Sequence, residues 1–322
     1  MQPARYAVVI LVLIATCITG PCYAQWPGRI EILAVKSRTL TGPEFLKGGA
    51  TGRETLLGGE LRLPVGATAK FPAVVLIHGS GGIGPGTDAW ARVLNDAGVA
   101  AFILDTFSGR GIVSTVENQD QLHSLAMMVD AYRALDVLAA HPRIRSDRIA
   151  VMGFSIGAVA SVFSAVDRFR NAYGSSNRFA VHIGMYTPCN TRFDADTKVT
   201  GAPIRLFHGI TDDYVSILPC RDFAAELKTA GADVVLTEYP DSQHAFDNPA
   251  SPRLFDVPKA QSTRNCRIKE SANGVAVNAM TGATFTMNDP CVAVGAHVGH
   301  NPDATAAARQ AVIGFLKQTW PN

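Results

Sequence analysis

Arg148-Ile149-Ala150-Val151-Met152-Gly153-Phe154-Ser155-Ile156-Gly157 is the stretch from which the fold can be read. Its first six residues form a short apolar run of the kind that makes a buried strand, and Ala158 to Phe169 beyond it reads as a helix. Between them Gly153 to Gly157 has the form G-x-S-x-G, which sets a serine on a sharp strand-to-helix turn above a sheet edge while the two glycines let the backbone crowd together. The helix N-terminus behind Ser155 favours negative charge and so helps a developing oxyanion. The competing role for Ser155 is a helix cap. The strand before it and the helix after it favour a nucleophile.

Outward from this turn the same alternation recurs. Ala73 to His78, Ala100 to Asp105, Phe179 to Met185, Ile204 to His208 and Asp233 to Tyr239 read as further buried strands. Asp120 to Ala140, Phe223 to Thr229 and Ala304 to Thr319 have helical spacing. Together they predict an α/β fold, a mostly parallel central sheet with helices on both faces. Ile30 to Val35 and Gly59 to Leu63 are candidate strands of an antiparallel edge, and the glycine-rich stretch from Gly42 to Gly59 is expected to be a mobile surface loop. It lacks the G-x-x-x-x-G-K-[ST] pattern of a phosphate cradle. Asn248 to Asn301, rich in Pro, Asn, Thr and Gly, interrupts the alternation and is expected to be an insertion before the last helix.

A serine hydroxyl is a poor nucleophile at neutral pH and needs a base, which in turn needs an acid to orient it. In a sheet of this kind both follow the serine in sequence, at strand ends. Asp212 lies in Gly209-Ile210-Thr211-Asp212-Asp213-Tyr214-Val215 after the strand IRLFH, and His244 lies in Tyr239-Pro240-Asp241-Ser242-Gln243-His244 after the next strand. Asp213 is the rival acid. His182 and His208 precede the acid, the first as a core histidine within a strand and the second positioned to help hold the acid loop. His297 and His300 fall in the insertion, and His123 and His141 lie on or beside a helix with no chemical context. For the oxyanion, one donor is expected to be the backbone amide of Ile156 and the other the amide of Ser80, with Gly81 close behind, in the turn His78-Gly79-Ser80-Gly81-Gly82. Arg110 follows another strand end and is a candidate contact for an anionic substrate, or else a structural ion pair.

With HGSGG, GFSIGA, HGITDDYV and YPDSQHAFDN in this order, the chain resembles the dienelactone hydrolase family over about Gly58 to Phe246, with the last helix rejoining it. The resemblance implies an α/β-hydrolase fold, with Ser155 on the nucleophile position, Asp212 on the acid of a G-x-x-D-x-x-V pattern and His244 on the base of an H-A-F-D pattern. It implies hydrolysis of a small-molecule ester or lactone through an acyl-enzyme, with no cofactor and no metal. Two departures limit it: the dienelactone-cleaving members use a cysteine where Ser155 stands, and carry a glutamate beside the oxyanion turn where Gly79 stands. A serine peptidase or acyltransferase would use the same three residues. A binding protein that kept the fold and lost turnover is the answer of a different class, and the complete Ser, Asp and His in order argue against it.

Composition narrows the partners. The chain has 322 residues, 47% hydrophobic, and a formal net charge of +2 without Lys/Arg runs, which argues against a nucleic-acid or polybasic membrane surface. Arg5, an apolar run from Tyr6 to Ile18 and Cys22-Tyr23-Ala24 form the pattern of an export signal over residues 1–24. The apolar run is shorter than the ~20 residues of a membrane span, so residues 25–322 are expected to be a single α/β-hydrolase domain with an insertion at about 248–301, periplasmic or secreted, without stable membrane insertion. A retained N-terminal anchor is the alternative; Thr16 before Cys17 is unlike a lipid-attachment site. Cys189, Cys220, Cys266 and Cys291 remain, and two disulfides are expected, preferably joining neighbours as Cys189 with Cys220 and Cys266 with Cys291.

Overall fold

The computed structural model describes residues 29–49, 52–65 and 70–321. The expected export signal and its cleavage point lie outside these residues. The chain begins with β1 (Ile30–Thr39), α1 (Gly42–Leu46), β2 (Arg53–Arg62), β3 (Phe71–Ile77), α2 (Pro85–Asp96) and β4 (Ala100–Asp105). It continues through α3 (Ser124–Ala139), β5 (Ile144–Phe154), α4 (Ile156–Phe163), α5 (Asp167–Tyr173), β6 (Val181–Met185) and β7 (Thr191–Arg192). Then come β8 (Ile204–Gly209), α6 (Leu218–Thr229), β9 (Val234–Tyr239), β10 (Phe255–Ser262), β11 (Ile268–Glu270), β12 (Ala276–Asn278), β13 (Ala293–Val298) and α7 (Pro302–Thr319).

Eight strands form one sheet in the order β1-β2-β4-β3-β5-β6-β8-β9. β1, β2 and β4 pair antiparallel, and every pairing from β4 to β9 is parallel. The apolar runs are continuous because the central strands are buried on both faces. Within β3, Val75 and Ile77 pack with Leu125 and Leu135 of α3 and Phe163 of α4, whereas Val74 and Leu76 pack with Trp90 and Leu94 of α2 and Val312 of α7. Helices therefore cover both faces. Because β5, β6, β8 and β9 all run parallel, the C-terminal ends of β5, β8 and β9 emerge at one edge of the sheet.

Two local expectations are corrected. The described residues of the Gly42 to Gly59 stretch are not a mobile loop: Thr41 Oγ1 accepts from the Glu44 amide while the Glu44 carboxylate accepts from the Thr41 amide at 2.8 Å, a capping box that starts α1, and β2 begins at Arg53. Ala158 to Phe169 is not one helix either. The chain breaks between α4 and α5, where Thr200 donates to the Ala165 carbonyl (2.8 Å) and Asp167 donates to the Lys198 carbonyl (2.9 Å), so pairing with a distant segment overrides helical continuity.

The segment from 248 to 301 carries short strands. β10 pairs antiparallel with β13 across a bulge, and β11 joins β12 to β7. A disulfide between Cys266 and Cys291 ties it internally, and a second between Cys189 and Cys220 joins the loop after β6 to α6. Its exit is stitched to the segment's entry: Gly299 donates to the His244 carbonyl (3.0 Å) and Asn301 to the Phe246 carbonyl (2.9 Å).

Candidate active site

Ser155 sits between β5 and α4 with φ 54° and ψ −119°, a conformation that side chains other than glycine rarely adopt. The flanking glycines enforce it. A Cβ on Gly153 would lie 2.0 Å from the Gly157 carbonyl oxygen, and one on Gly157 would lie 2.4 Å from the carbonyl oxygens of Ile77 and His78. Strand, turn and helix can approach this closely only without side chains, so the serine is pushed over the sheet edge, 8% exposed.

Two neighbouring strand ends bring the partners. Asp212 follows β8 and His244 follows β9, where Asp241 (φ 50°) and Ala245 (φ 55°) bend the chain around the histidine. His244 Nδ1 donates to Asp212 Oδ2 (2.8 Å), which leaves Nε2 to accept from Ser155 Oγ at 3.0 Å. The structure pairs Asp212 with His244 and Asp213 elsewhere: Asp213 Oδ2 lies 2.6 Å from His297 Nδ1. Asp212 Oδ1 accepts the amides of Tyr214 (2.9 Å) and Val215 (2.8 Å), and Oδ2 also faces His208 Nε2 at 3.4 Å. Burial alone would raise the Asp212 carboxyl, but the charge of His244, with hydrogen bonds from His208 and His244, outweighs it and holds the group well below the usual carboxylate range. His208 Nε2 also donates to the Val215 carbonyl (2.9 Å), so it fastens the acid's own turn.

The turn after β3 lies against the serine. A Cβ on Gly79 would be 3.3 Å from the Ser155 Cβ. Among the described residues no backbone carbonyl accepts from the amides of Ser80 or Gly81, and the Ile156 amide, first in α4, has no acceptor within its helix. Ser80 Oγ is occupied by Gln119 Oε1 (3.0 Å), which fixes the turn.

Arg110 is not brought to this site. Its guanidinium binds both carboxylate oxygens of Asp130 (2.8 and 2.9 Å), Thr39 Oγ1 (2.7 Å) and the Thr106 carbonyl (2.6 Å), with both charged side chains buried, so its donors are spent on bracing β1 and α3. His182 is held in the core by Ser164 Oγ and the Ser161 carbonyl, and burial lowers it to about 4. His123 Nδ1 caps α3 by accepting from the Leu125 amide, and His141 Nε2 lies 3.2 Å from Glu31.

Sequence reasoning passed over the two rings that hold the His244 imidazole, Tyr186 and Tyr214, with centroids 4.5 and 4.7 Å from it. Tyr186 donates to Asp247 Oδ1 (3.0 Å) and Trp90 Nε1 donates to Asp247 Oδ2 (2.5 Å), so the aspartate of His244-Ala245-Phe246-Asp247 anchors the ring against the base. The available signal was the position of Tyr186 immediately after β6. Among the described residues no cluster of three or more His, Cys, Asp or Glu could hold a metal ion, and no helix is long and apolar enough to cross a membrane.

Residues 57–319 match the dienelactone hydrolase family. A dienelactone hydrolase-like promiscuous phosphotriesterase from metagenomic libraries is 16% identical, with 91% of this chain and 99% of that one superposed at a TM-score of 0.57. A Klebsiella pneumoniae protein assigned as a dienelactone hydrolase is 13% identical over 89% of this chain and 99% of the other, TM-score 0.54. At these identities the likeness is one of fold. No curated protein sequence matches the chain.

Proposed function

The chain belongs to the dienelactone hydrolase family of the α/β-hydrolase fold, and we propose that within it this protein is a serine hydrolase cleaving carboxylic ester or lactone bonds through an acyl-enzyme. The observation that carries the reading is the unbroken relay from Ser155 Oγ through His244 to Asp212, at 3.0 and 2.8 Å, on a serine held in a strained turn.

As Ser155 Oγ forms its bond to the carbonyl carbon, its proton passes to His244 Nε2 and the carbonyl oxygen takes up an electron pair. The amides of Ile156 and Ser80, with Gly81 beside them, hold that oxyanion, and each such donor is worth about 3 kcal/mol of transition-state stabilisation. The bond to the leaving oxygen then breaks, and that oxygen departs with the proton from His244. In the second step water gives its proton to His244 and its oxygen to the acyl carbon. Ser155 leaves with its proton restored, and the acid is released. Asp212 stays ionised throughout, fixing the tautomer in which Nε2 is free to accept.

Gly79 supports a hydroxyl nucleophile. A side chain there would reach the Ser155 Cβ, and glycine offers no carboxylate to activate a thiol. The two disulfides fit an oxidising compartment and support export directed by residues 1–24. A fluorophosphonate probe should label the purified protein, short p-nitrophenyl esters should be hydrolysed, and Ser155→Ala should abolish both. Labelling that persists in Ser155→Ala would refute the nucleophile assignment.

A further inference from the structure

Two cavities meet at Ser155, and among the described residues the only lining residues they share are Ser155 and Tyr214. The first, about 230 Å³, is lined by His244, the Gly79 to Gly82 turn and, from the 248–301 segment, Val257 and Val298. The second, about 280 Å³, is lined by Ile156, Leu122 and Val159 and walled by the 248–301 segment through Ile268, Ala276 and Phe285. His244 does not line the second cavity.

Resting on the serine-ester reading above, we propose that the substrate is an open-chain ester with an uncharged, apolar acyl group, and that this group enters the cavity lined by Ile268, Ala276 and Phe285 while the alcohol enters the cavity at His244. The departing alcohol oxygen must take its proton from His244 Nε2, so the alcohol lies where His244 is exposed. The acyl chain leaves the same carbonyl carbon by its other bond and takes the remaining cavity. A small lactone has its acyl and alkoxy carbons closed in one ring and cannot send them into separate cavities. Besides the Tyr214 phenol shared by both cavities, the ionisable side chains on the acyl wall are Asp120, His123 and Arg264. Arg264 Nη1 is spent on the carbonyls of Asp213 (2.9 Å) and Gly295 (2.7 Å), the His123 Nδ1 on the Leu125 amide, and Asp120 would repel a carboxylate. At about 280 Å³ the cavity is near the lower end of ligand sites, which run from roughly 300 to 1,000 Å³, and suits a medium chain.

The test is the full-length mature protein on p-nitrophenyl esters from acetate to dodecanoate, on γ-butyrolactone, and on acetate esters of ethanol and octanol. Each methylene removed from water should raise kcat/KM by up to about fourfold until the cavity is full, so octanoate should exceed acetate at least about tenfold. Ala276→Phe should move the acyl optimum to shorter chains and Phe285→Ala to longer ones, with the octyl to ethyl acetate ratio following neither. A purely structural role for these residues would not shift the optimum in opposite directions. Hydrolysis of acetate with a flat acyl series, with γ-butyrolactone preferred to octanoate, or with an optimum unmoved in both variants would overturn this inference alone. Absence of both fluorophosphonate labelling and ester hydrolysis would overturn it together with the serine-ester reading.

Discussion

Replacing Asp212 by Asn tests how much of the site depends on one carboxylate. The native group receives three hydrogen bonds, two from backbone amides on Oδ1 and one from His244 Nδ1 at 2.8 Å on Oδ2, and His208 Nε2 faces Oδ2 at 3.4 Å. An asparagine can keep its oxygen toward Tyr214 and Val215, but its NH₂ then faces His244 and donates to Nδ1. The imidazole must switch tautomer and carry its proton on Nε2, where it can no longer accept from Ser155 Oγ. The expected loss in kcat is about 10⁴, or roughly 5.5 kcal/mol of barrier. The two amide hydrogen bonds also lose their charge assistance, at about 1 kcal/mol each, which a urea titration reads as lost stability. The same carboxylate sets an acid limb. Its folded pKa lies below the unfolded one, so its contribution to stability is complete above about pH 4 and fades as pH falls through the depressed value; Asp212→Asn should flatten that limb. Steady-state hydrolysis of p-nitrophenyl acetate between pH 5 and 10, with Asp213→Asn beside it, is the assay. Retention of more than a tenth of the activity in Asp212→Asn, or an equal loss in Asp213→Asn, would refute the tautomer reasoning.

Arg110→Met should cost about 3–5 kcal/mol by leaving Asp130 buried and unpaired, while fluorophosphonate labelling of the protein still folded continues; a selective loss of activity at unchanged stability would restore Arg110 as a substrate contact. The Cys189–Cys220 bond spans 31 residues, so the double Cys→Ser variant should lose about 3–4 kcal/mol, and mild reduction should lower activity before the fold melts because the bond braces α6 beside the Asp212 turn. Unchanged activity after verified reduction of that bond would rule out the bracing. The His297 imidazole is pushed up by its hydrogen bond to Asp213 and by the charges of Asp213 and Asp256, so its contribution to stability is complete below about pH 6.5 and is lost as pH rises through the raised value. His297→Gln should therefore lower Tm at pH 5.5 and leave it unaltered at pH 9, read by differential scanning calorimetry.

The parallel sheet was legible because strands buried on both faces write themselves as unbroken apolar runs, as Ala100 to Asp105 does residue for residue. Ser155, Asp212 and His244 could be named because each follows a strand end, in an order that the sheet then brings to one edge. The choice between Asp212 and Asp213 was narrower, since adjacent carboxylates differ only in which way the turn aims them. What escaped was encoded in distant partners. Tyr186 holds a positive φ and finds Asp247 and His244 across the sheet edge, and beyond its place after a strand nothing local in Met185-Tyr186-Thr187 announces it. α1 hid among glycines because its signal is the Thr41 and Glu44 pair rather than a period. In the 248–301 segment β11 and β12 have three residues each and the β10–β13 pairing bulges, so neither alternation nor helical spacing builds up.

The hydrogen bond from the Asn301 amide to the Phe246 carbonyl has a consequence for how such a protein can diversify. It brings the chain leaving the segment back to where the chain entered, 2.9 Å apart, so a short turn could close the gap. The segment is thus an exchange cassette with a ready-made graft point. Its own disulfide travels with it, and swapping it would redraw walls of both cavities at Ser155 while β5, β8 and β9 keep their register. Selection, or a designer, can therefore retune what the protein accepts without reopening the strained glycine turn, where the packing leaves no room for even one added methyl group.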